Sequence, residues 1–402
     1  MTVSSVQANS AAISNARIML MAAACGFAVS TIYYNQPLLP LMGASFGRSS
    51  ADAGLIATVT QLGYAAGLFL FVPLGDKIDR RRLILILLTS NMLCLVGAAI
   101  APNFAMLVLA SLLIGITGVT AQVIIPAVSG LAQPAQRGRV VGTLLSGLSA
   151  GLLLARTLSG LVGAHAGWRS MFVLASFIDL VLMAIVWSGL PETEGNSELS
   201  YAGLLASLGA MLRDWPSLRV ACLTGFFMFG AFSALWGTLA TLVGRPPYNF
   251  GSDAAGAFGF LGIIGLLSSP MIGKAADRFG PRLLLMAGPL ALTTAFLLVA
   301  GAAHHLIFLI AGIVLTDLGN RIGLVANQTR IYALSTDARS RLNTLLMTTY
   351  FLGGATGAGV AAAVTSHLGW FGLSLTGAVF GILALITHLL SVRPEGHAAC
   401  PR

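Results

Sequence analysis

From residue 18 onward, apolar residues neither alternate with polar ones nor keep to one side of a helix. They run on, broken at intervals by short clusters of charge, glycine or proline. A helix needs about 20 apolar residues to cross a hydrocarbon layer roughly 30 Å thick. Continuous runs exclude a membrane β-barrel, whose strands alternate. The pattern predicts twelve helices. The first six cover 18–41, 52–73, 83–101, 104–130, 140–164 and 169–189, and the second six cover 218–243, 254–272, 283–301, 305–332, 342–366 and 369–391. Between the sets lies 191–217, the longest polar-leaning stretch, which reads as a cytoplasmic connector with a short amphipathic helix over 202–213. The expected organisation is an all-α membrane protein: a six-helix bundle over 1–190, the connector, and a second six-helix bundle over 218–402.

Composition makes lipid the solvent for most of this chain. Only 9% of residues are charged and mean hydropathy is +0.88, whereas soluble domains carry roughly 25% charged residues. The net charge of +9 does not point to nucleic acid, because Lys and Arg sit in gaps between apolar runs and not in a patch on a polar surface. Their distribution sets orientation instead. An even number of spans puts both termini on one face, and that face holds seventeen Lys and Arg against three (Arg48, Arg169, Arg245) on the other. Both termini are therefore expected in the cytoplasm of a cell with a bacterial-type inner membrane. No P-loop is present, so ATP is not the expected driver. No nucleophile–base or metal-ligand spacing appears, and the four cysteines read as small buried fillers. Neither an enzyme nor a cofactor or metal site is expected.

One loop concentrates charge. "PLGDKIDRRRL" at 73–83 holds Asp76, Lys77, Asp79, Arg80, Arg81 and Arg82. The arginines suit a topological anchor, which leaves the two aspartates unexplained. A second copy follows as "GKAADRFGPRLLL" at 273–285, with Asp277 standing 201 residues after Asp76 and Arg278 matching Lys77. Asp52 and Asp253 are also 201 apart, and "HAGW" at 165–168 precedes "HLGW" at 367–370 by 202. These agreeing offsets indicate a duplicated six-helix unit.

On these features the chain resembles the major facilitator superfamily over nearly its whole length. The family loop runs Gly-x-Leu-Ala-Asp-Arg-x-Gly-Arg-Arg. Leu74, Asp76, Lys77, Arg80 and Arg81 match it, with Val72 and Asp79 in place of the glycines; the second copy matches through Gly273, Asp277, Arg278, Gly280 and Arg282. The resemblance implies twelve helices in two pseudo-symmetric bundles that rock about a mid-bilayer cavity. It also implies that Asp76 latches the cytoplasmic face by accepting from backbone N–H groups at the start of helix eleven. On that basis Asp76, Lys77, Arg80, Arg81, Asp277, Arg278 and Arg282 form the gating loops. "YYNQP" at 33–37 is similar to the acriflavine-sensitivity branch of bacterial exporters. The helix-five glycine–proline pattern of proton-coupled antiporters is only partly kept in "GLLLARTLSG" at 151–160, where Arg156 replaces the proline.

Ionisable groups inside a membrane are costly, so Arg156, Asp179, Asp317 and Arg321 stand out. Asp317 and Arg321 are spaced i, i+4 and either neutralise one another as a static bridge or form a proton-coupling pair. Arg156 is either a substrate or coupling contact for a carboxyl-bearing solute, or a structural partner of Asp179. Tyr34 and Asn35 of helix one share an inner face with Thr31 at 100° per residue, or belong to an interfacial aromatic belt. Gln61, Tyr64, Gln122, Trp236, Asn327 and Gln328 complete a candidate cavity wall of aromatic and amide groups. The function expected is secondary active transport by alternating access: proton-coupled export of small amphipathic organic compounds by a monomer. The partners expected are the solute, the proton gradient and the bilayer. The alternative is an uncoupled facilitator, or an exporter of a sugar, amino acid or organic anion.

Overall fold

The computed structural model describes residues 15–133, 136–192, 200–335 and 338–391. Among them, nine helical stretches are long and apolar enough to cross a bilayer. Ser50–Leu74, Arg80–Ala99, Arg137–Ala166 and Trp168–Gly189 are helices two, three, five and six, and helix four is Phe104–Thr117 continued by Thr120–Gly130. Pro216–Val243, Pro281–Ala300 and Leu306–Tyr332 are helices seven, nine and ten. The longest stretch, Arg339–Ser391, turns back at Gly369 and forms helices eleven and twelve.

Helices one and eight, the two not among those nine stretches, are interrupted, as helix four is at 118–119. Helix one runs Asn15–Ser30, passes through turns at 31–35 and a 3-10 turn at Gln36–Leu38, and resumes over Leu39–Ser45. Pro37 and Pro40 explain the break, since proline lacks the N–H that an α-helix interior uses. Helix eight is Ser252–Ala257, a 3-10 turn at Phe258–Leu261, then Gly262–Phe279. It extends seven residues beyond the expected end at 272. Asp277 and Arg278 thus sit in its last turn and not in a loop, and the connection to helix nine narrows to Gly280.

The duplication is visible in the backbone. Gly167 of "HAGW" joins helices five and six at φ +81°, and Gly369 of "HLGW" joins eleven and twelve at φ +53°. A β-carbon disfavours this left-handed region, so glycine at both corners has a conformational cause. Helix one meets helix five where Gly26 faces Gly147 and Gly151, and helix seven meets helix eleven where Gly230 faces Gly353 and Gly357. Small residues let helix backbones approach in lipid, where burial of apolar surface supplies no drive between helices.

Call the side from which helix one starts the near face and its opposite the far face. The bundles join from mid-depth to the far face along two seams. In one, helix five packs on helix eight: Ser252 Oγ donates to the Gly160 carbonyl and Thr157 Oγ1 to the Gly256 carbonyl, both at 3.1 Å. In the other, helix two packs on helix eleven, Gly54 against Ala362 and Thr58 against Gly359. At the near face the connector helix, Tyr201–Asp214, ties the bundles indirectly. Tyr201 Oη donates to the Leu70 carbonyl of helix two, and Arg341 Nη1 of helix eleven donates to Ser207 Oγ.

Candidate functional site

Where the first bundle meets the second at mid-depth, helix five delivers Arg156, one of the largest fully buried side chains, 2% exposed. Its Nε donates to Gln36 Oε1 at 2.7 Å. Its guanidinium carbon lies 3.9 Å from the Trp236 ring centroid, 5.0 Å from Tyr33 and 5.7 Å from Phe232. A cation over aromatic faces gains from the ring quadrupole, most when desolvated. Among the described residues, Nη2 is buried without a hydrogen-bond partner. Helix one supplies Gln36 and Tyr33 because its break swings 31–38 out of helical register; helix seven supplies Phe232 and Trp236, four apart on one face.

Helix ten brings Asp317 to the same place from the other bundle. Its carboxylate lies in electrostatic reach of both Arg156 and Arg321, beside the Trp236 indole. Among the described residues it forms no direct ion pair with either, and Oδ2 has no hydrogen-bond partner. The static Asp317–Arg321 bridge is therefore not formed. Glycines three apart on helix eight make this convergence possible. A β-carbon at Gly259 would lie 3.2 Å from Arg156 Cβ, one at Gly262 3.3 Å from Asp317 Oδ2, and one at Gly265 3.4 Å from Asp317 Cβ.

An aromatic and amide cluster continues from this centre. Gln61 Oε1 accepts from Ser233 Oγ of helix seven at 3.0 Å. The Tyr64 ring lies 4.3 Å from that of Phe351, with its hydroxyl beside Gln122. Asn35 Nδ2 donates to Thr60 Oγ1 at 2.9 Å. Asn327 is 1% exposed with neither side-chain oxygen nor nitrogen partnered. Tyr350, stacked 3.9 Å from Phe229, donates from Oη to Asn320 Oδ1. Sequence reasoning passed over Asn320 and Tyr350, and left Gln36 and Tyr33 out of the cavity wall. The aromatic spacing Phe229, Phe232, Trp236 along one face of helix seven was an unused signal for the inner face that Tyr33 and Tyr350 meet.

Other candidates lie elsewhere. Tyr34 is in reach of Asp179 and lines a groove of about 370 Å³ between helices one and five, bordered by exposed Met19, Phe27 and Leu154. The helical wheel through Tyr34 fails because the α-helix has ended at Ser30, and Tyr33 takes the inner position. Asp179 is 1% exposed, with Oδ2 unpartnered. Arg156 is not its partner. Gln328 points to the near end of helix eleven, where Nε2 donates to Asn343 Oδ1 at 3.4 Å.

The charged loop braces its own bundle. Asp79 caps helix three by accepting from the Arg81 and Arg82 backbone N–H groups, which accounts for an acid at a family glycine position. Asp76 accepts from Arg80 Nη2 at 3.0 Å, and Arg80 also donates to the Gly75 and Pro126 carbonyls. Arg81 donates to the Trp187 carbonyl and Glu192, and lies 4.5 Å from the Trp187 ring. Among the described residues Asp76 pairs within its own loop, with Arg80, and makes no bond to helix eleven. Lys77 sits in the turn between helices two and three. Arg278 stacks on Phe279 at 5.2 Å, Arg282 lies in electrostatic reach of His388, and the Asp277 side chain is outside the described residues.

Comparison with known proteins agrees with this architecture. The family model for the Major Facilitator Superfamily matches residues 18–287 and 257–401. The uncharacterized transporter YgaY of Escherichia coli O157:H7 is 39% identical over 377 residues, covering 93% of this chain and 95% of the relative. A "Probable sugar efflux transporter" of Pasteurella multocida is 26% identical over 394 residues, covering 96% and 94%. A crystal structure of the nucleoside transporter NupG, in a single-substitution form, shares the fold at a TM-score of 0.75 and 13% identity, covering 94% of this chain and 100% of that one. Two duplicated bundles around a buried polar centre, and a family match along nearly the whole chain, identify a multi-pass membrane transporter, not an enzyme: the chain belongs to the major facilitator superfamily.

Proposed function

We propose that this transporter exports small amphipathic organic compounds across a bacterial inner membrane in exchange for protons, and that Asp317 carries the proton. The observation that supports the reading is the placement of Asp317 between two cations from opposite bundles, Arg156 of the first and Arg321 of the second. Charges buried in a medium of low dielectric act strongly on one another. An ionised Asp317 draws Arg156 towards the second bundle and holds the seams closed. A proton on Asp317, or a solute that takes its place at Arg156, removes that attraction. The carrier holding neither stays shut, so net movement requires exchange. The Lys and Arg bias supports a cytoplasmic near face, and on that reading the far-face seams are the closed outer gate. The Tyr-Tyr-Asn-Gln-Pro stretch supports placing the chain with acriflavine-sensitivity exporters.

The test uses proteoliposomes loaded with a pH-sensitive dye and screened with solutes. Wild-type protein is expected to move protons when its solute is added, and Asp317→Asn is expected to insert normally yet lose uphill transport. Undiminished uphill transport by Asp317→Asn removes Asp317 from the mechanism.

A further inference from the structure

We infer that the exported solute carries a carboxylate on an aromatic or apolar body, and that Arg156 is the residue that reads it. The inference rests on the transport reading above and adds the substrate class.

The guanidinium is built to receive an anion. One edge is fixed by the 2.7 Å bond from Nε to Gln36, and its position is set by the Trp236 ring 3.9 Å away. Nη2 remains a buried donor with nothing to donate to. Burying a donor unpaired is costly, more so for a charged group, and a planar fork held on one side presents a defined direction to a carboxylate oxygen. Tyr33, Phe232 and Trp236 around the same cation offer apolar faces to the rest of the molecule.

Charge balance selects the sign. The centre holds two cations, Arg156 and Arg321, and one carboxylate, Asp317. Asp179 sits with Tyr34 and, among the described residues, makes no ion pair with Arg156. Of the other acids, Asp52 sits in the capping turn that starts helix two at the far face, and the rest lie outside the expected apolar runs. A monoanionic solute brings the centre to neutrality inside the membrane. A neutral solute leaves Nη2 without an ionic partner, and a cationic one adds a third like charge. A solute carboxylate at Arg156 also offsets the pull of Asp317 on that cation, which is the step the exchange cycle requires of its cargo.

The experiment uses the purified full chain and matched pairs of each acid with its primary amide: benzoate and benzamide, phenylacetate and phenylacetamide, cinnamate and cinnamamide, indole-3-acetate and indole-3-acetamide. Binding is read by thermal unfolding and by charge movement on a supported membrane. At least one acid is expected to bind where its amide does not. Arg156→Gln should weaken that acid by about 30-fold or more and erase the preference, whereas Arg156→Lys should keep the preference with weaker binding. If Arg156→Gln fails to fold, the Lys variant decides: a tenfold loss for the acid with the amide unchanged supports the inference, and an unchanged acid affinity overturns it. No acid outperforming its amide across the panel also overturns it, as does a preference that survives in folded Arg156→Gln. Acid binding without proton movement in dye-loaded liposomes contradicts the coupling alone. Proton movement evoked only by neutral or cationic solutes contradicts this inference alone.

Discussion

The two seams that join the bundles are built alike and differ in chemistry. Both bring small residues of two lateral helices together: Gly160 with Gly256 where helix five meets helix eight, Gly54 with Ala362 where helix two meets helix eleven. The two–eleven seam is neutral, and near it Gln61 and Tyr64 make a hydrogen bond to Ser233 and a ring contact with Phe351. The five–eight seam carries Arg156 and adjoins Asp317 and Arg321. Duplication supplied the same geometry twice, and only one copy acquired charge. On the proposed function, the neutral seam closes by shape alone, while closure of the charged seam answers to what occupies its cation. Movement and coupling are then separable properties of one fold.

The largest effect that would sharpen this contrast is expected from Gly256→Leu. A β-carbon there lies 2.5 Å from the Arg156 carbonyl oxygen and 3.1 Å from Gly160 Cα, so the clash is with backbone and no side-chain truncation relieves it. The closed far face should lose about 1–3 kcal/mol, seen as raised thiol labelling at far-face positions and a steep fall in transport. Labelling at the wild-type level would show that the seam tolerates the bulk. Gly54→Ala on the neutral seam should do less, because the atom it meets first is the Ala362 side chain. Its transport defect should be rescued by Ala362→Gly, and a double variant as impaired as the single one would break the proposed equivalence of the seams. Gln61→Ala is the smallest change. Interhelical hydrogen bonds in lipid average about 0.6 kcal/mol, so a slight drop in the unfolding midpoint with transport nearly unchanged is expected. Loss of proton coupling in Gln61→Ala would show that the neutral seam also carries coupling.

Helix number, the duplication and the buried charges were legible because they depend on runs, offsets and residue type. The breaks in helices one and eight were not, since an apolar run records length and says nothing about whether backbone hydrogen bonding continues through it. Tyr34 was misplaced for that reason: 100° per residue holds only inside a regular helix, and Ser30 is the last such residue before the turn. The partner of Arg156 was equally hidden. Pairing it with Asp179 assumed that two charges in adjacent helices meet, but helix five turns Arg156 towards the other bundle, where smooth glycines on helix eight admit it. Asp79 departs from the family glycine because it caps a helix, a local role that family comparison obscured.

The central claim is that ionised Asp317, drawing on cations from both bundles, keeps the far face closed. Spin labels at His165 and His367, both exposed near the ends of helices five and eleven, would measure that mouth by pulsed electron–electron resonance, with the four native cysteines replaced. Without solute, the wild type is expected to show a predominantly short distance, and Asp317→Asn a clear shift of population to longer ones. An identical distance distribution in the two proteins would contradict the claim.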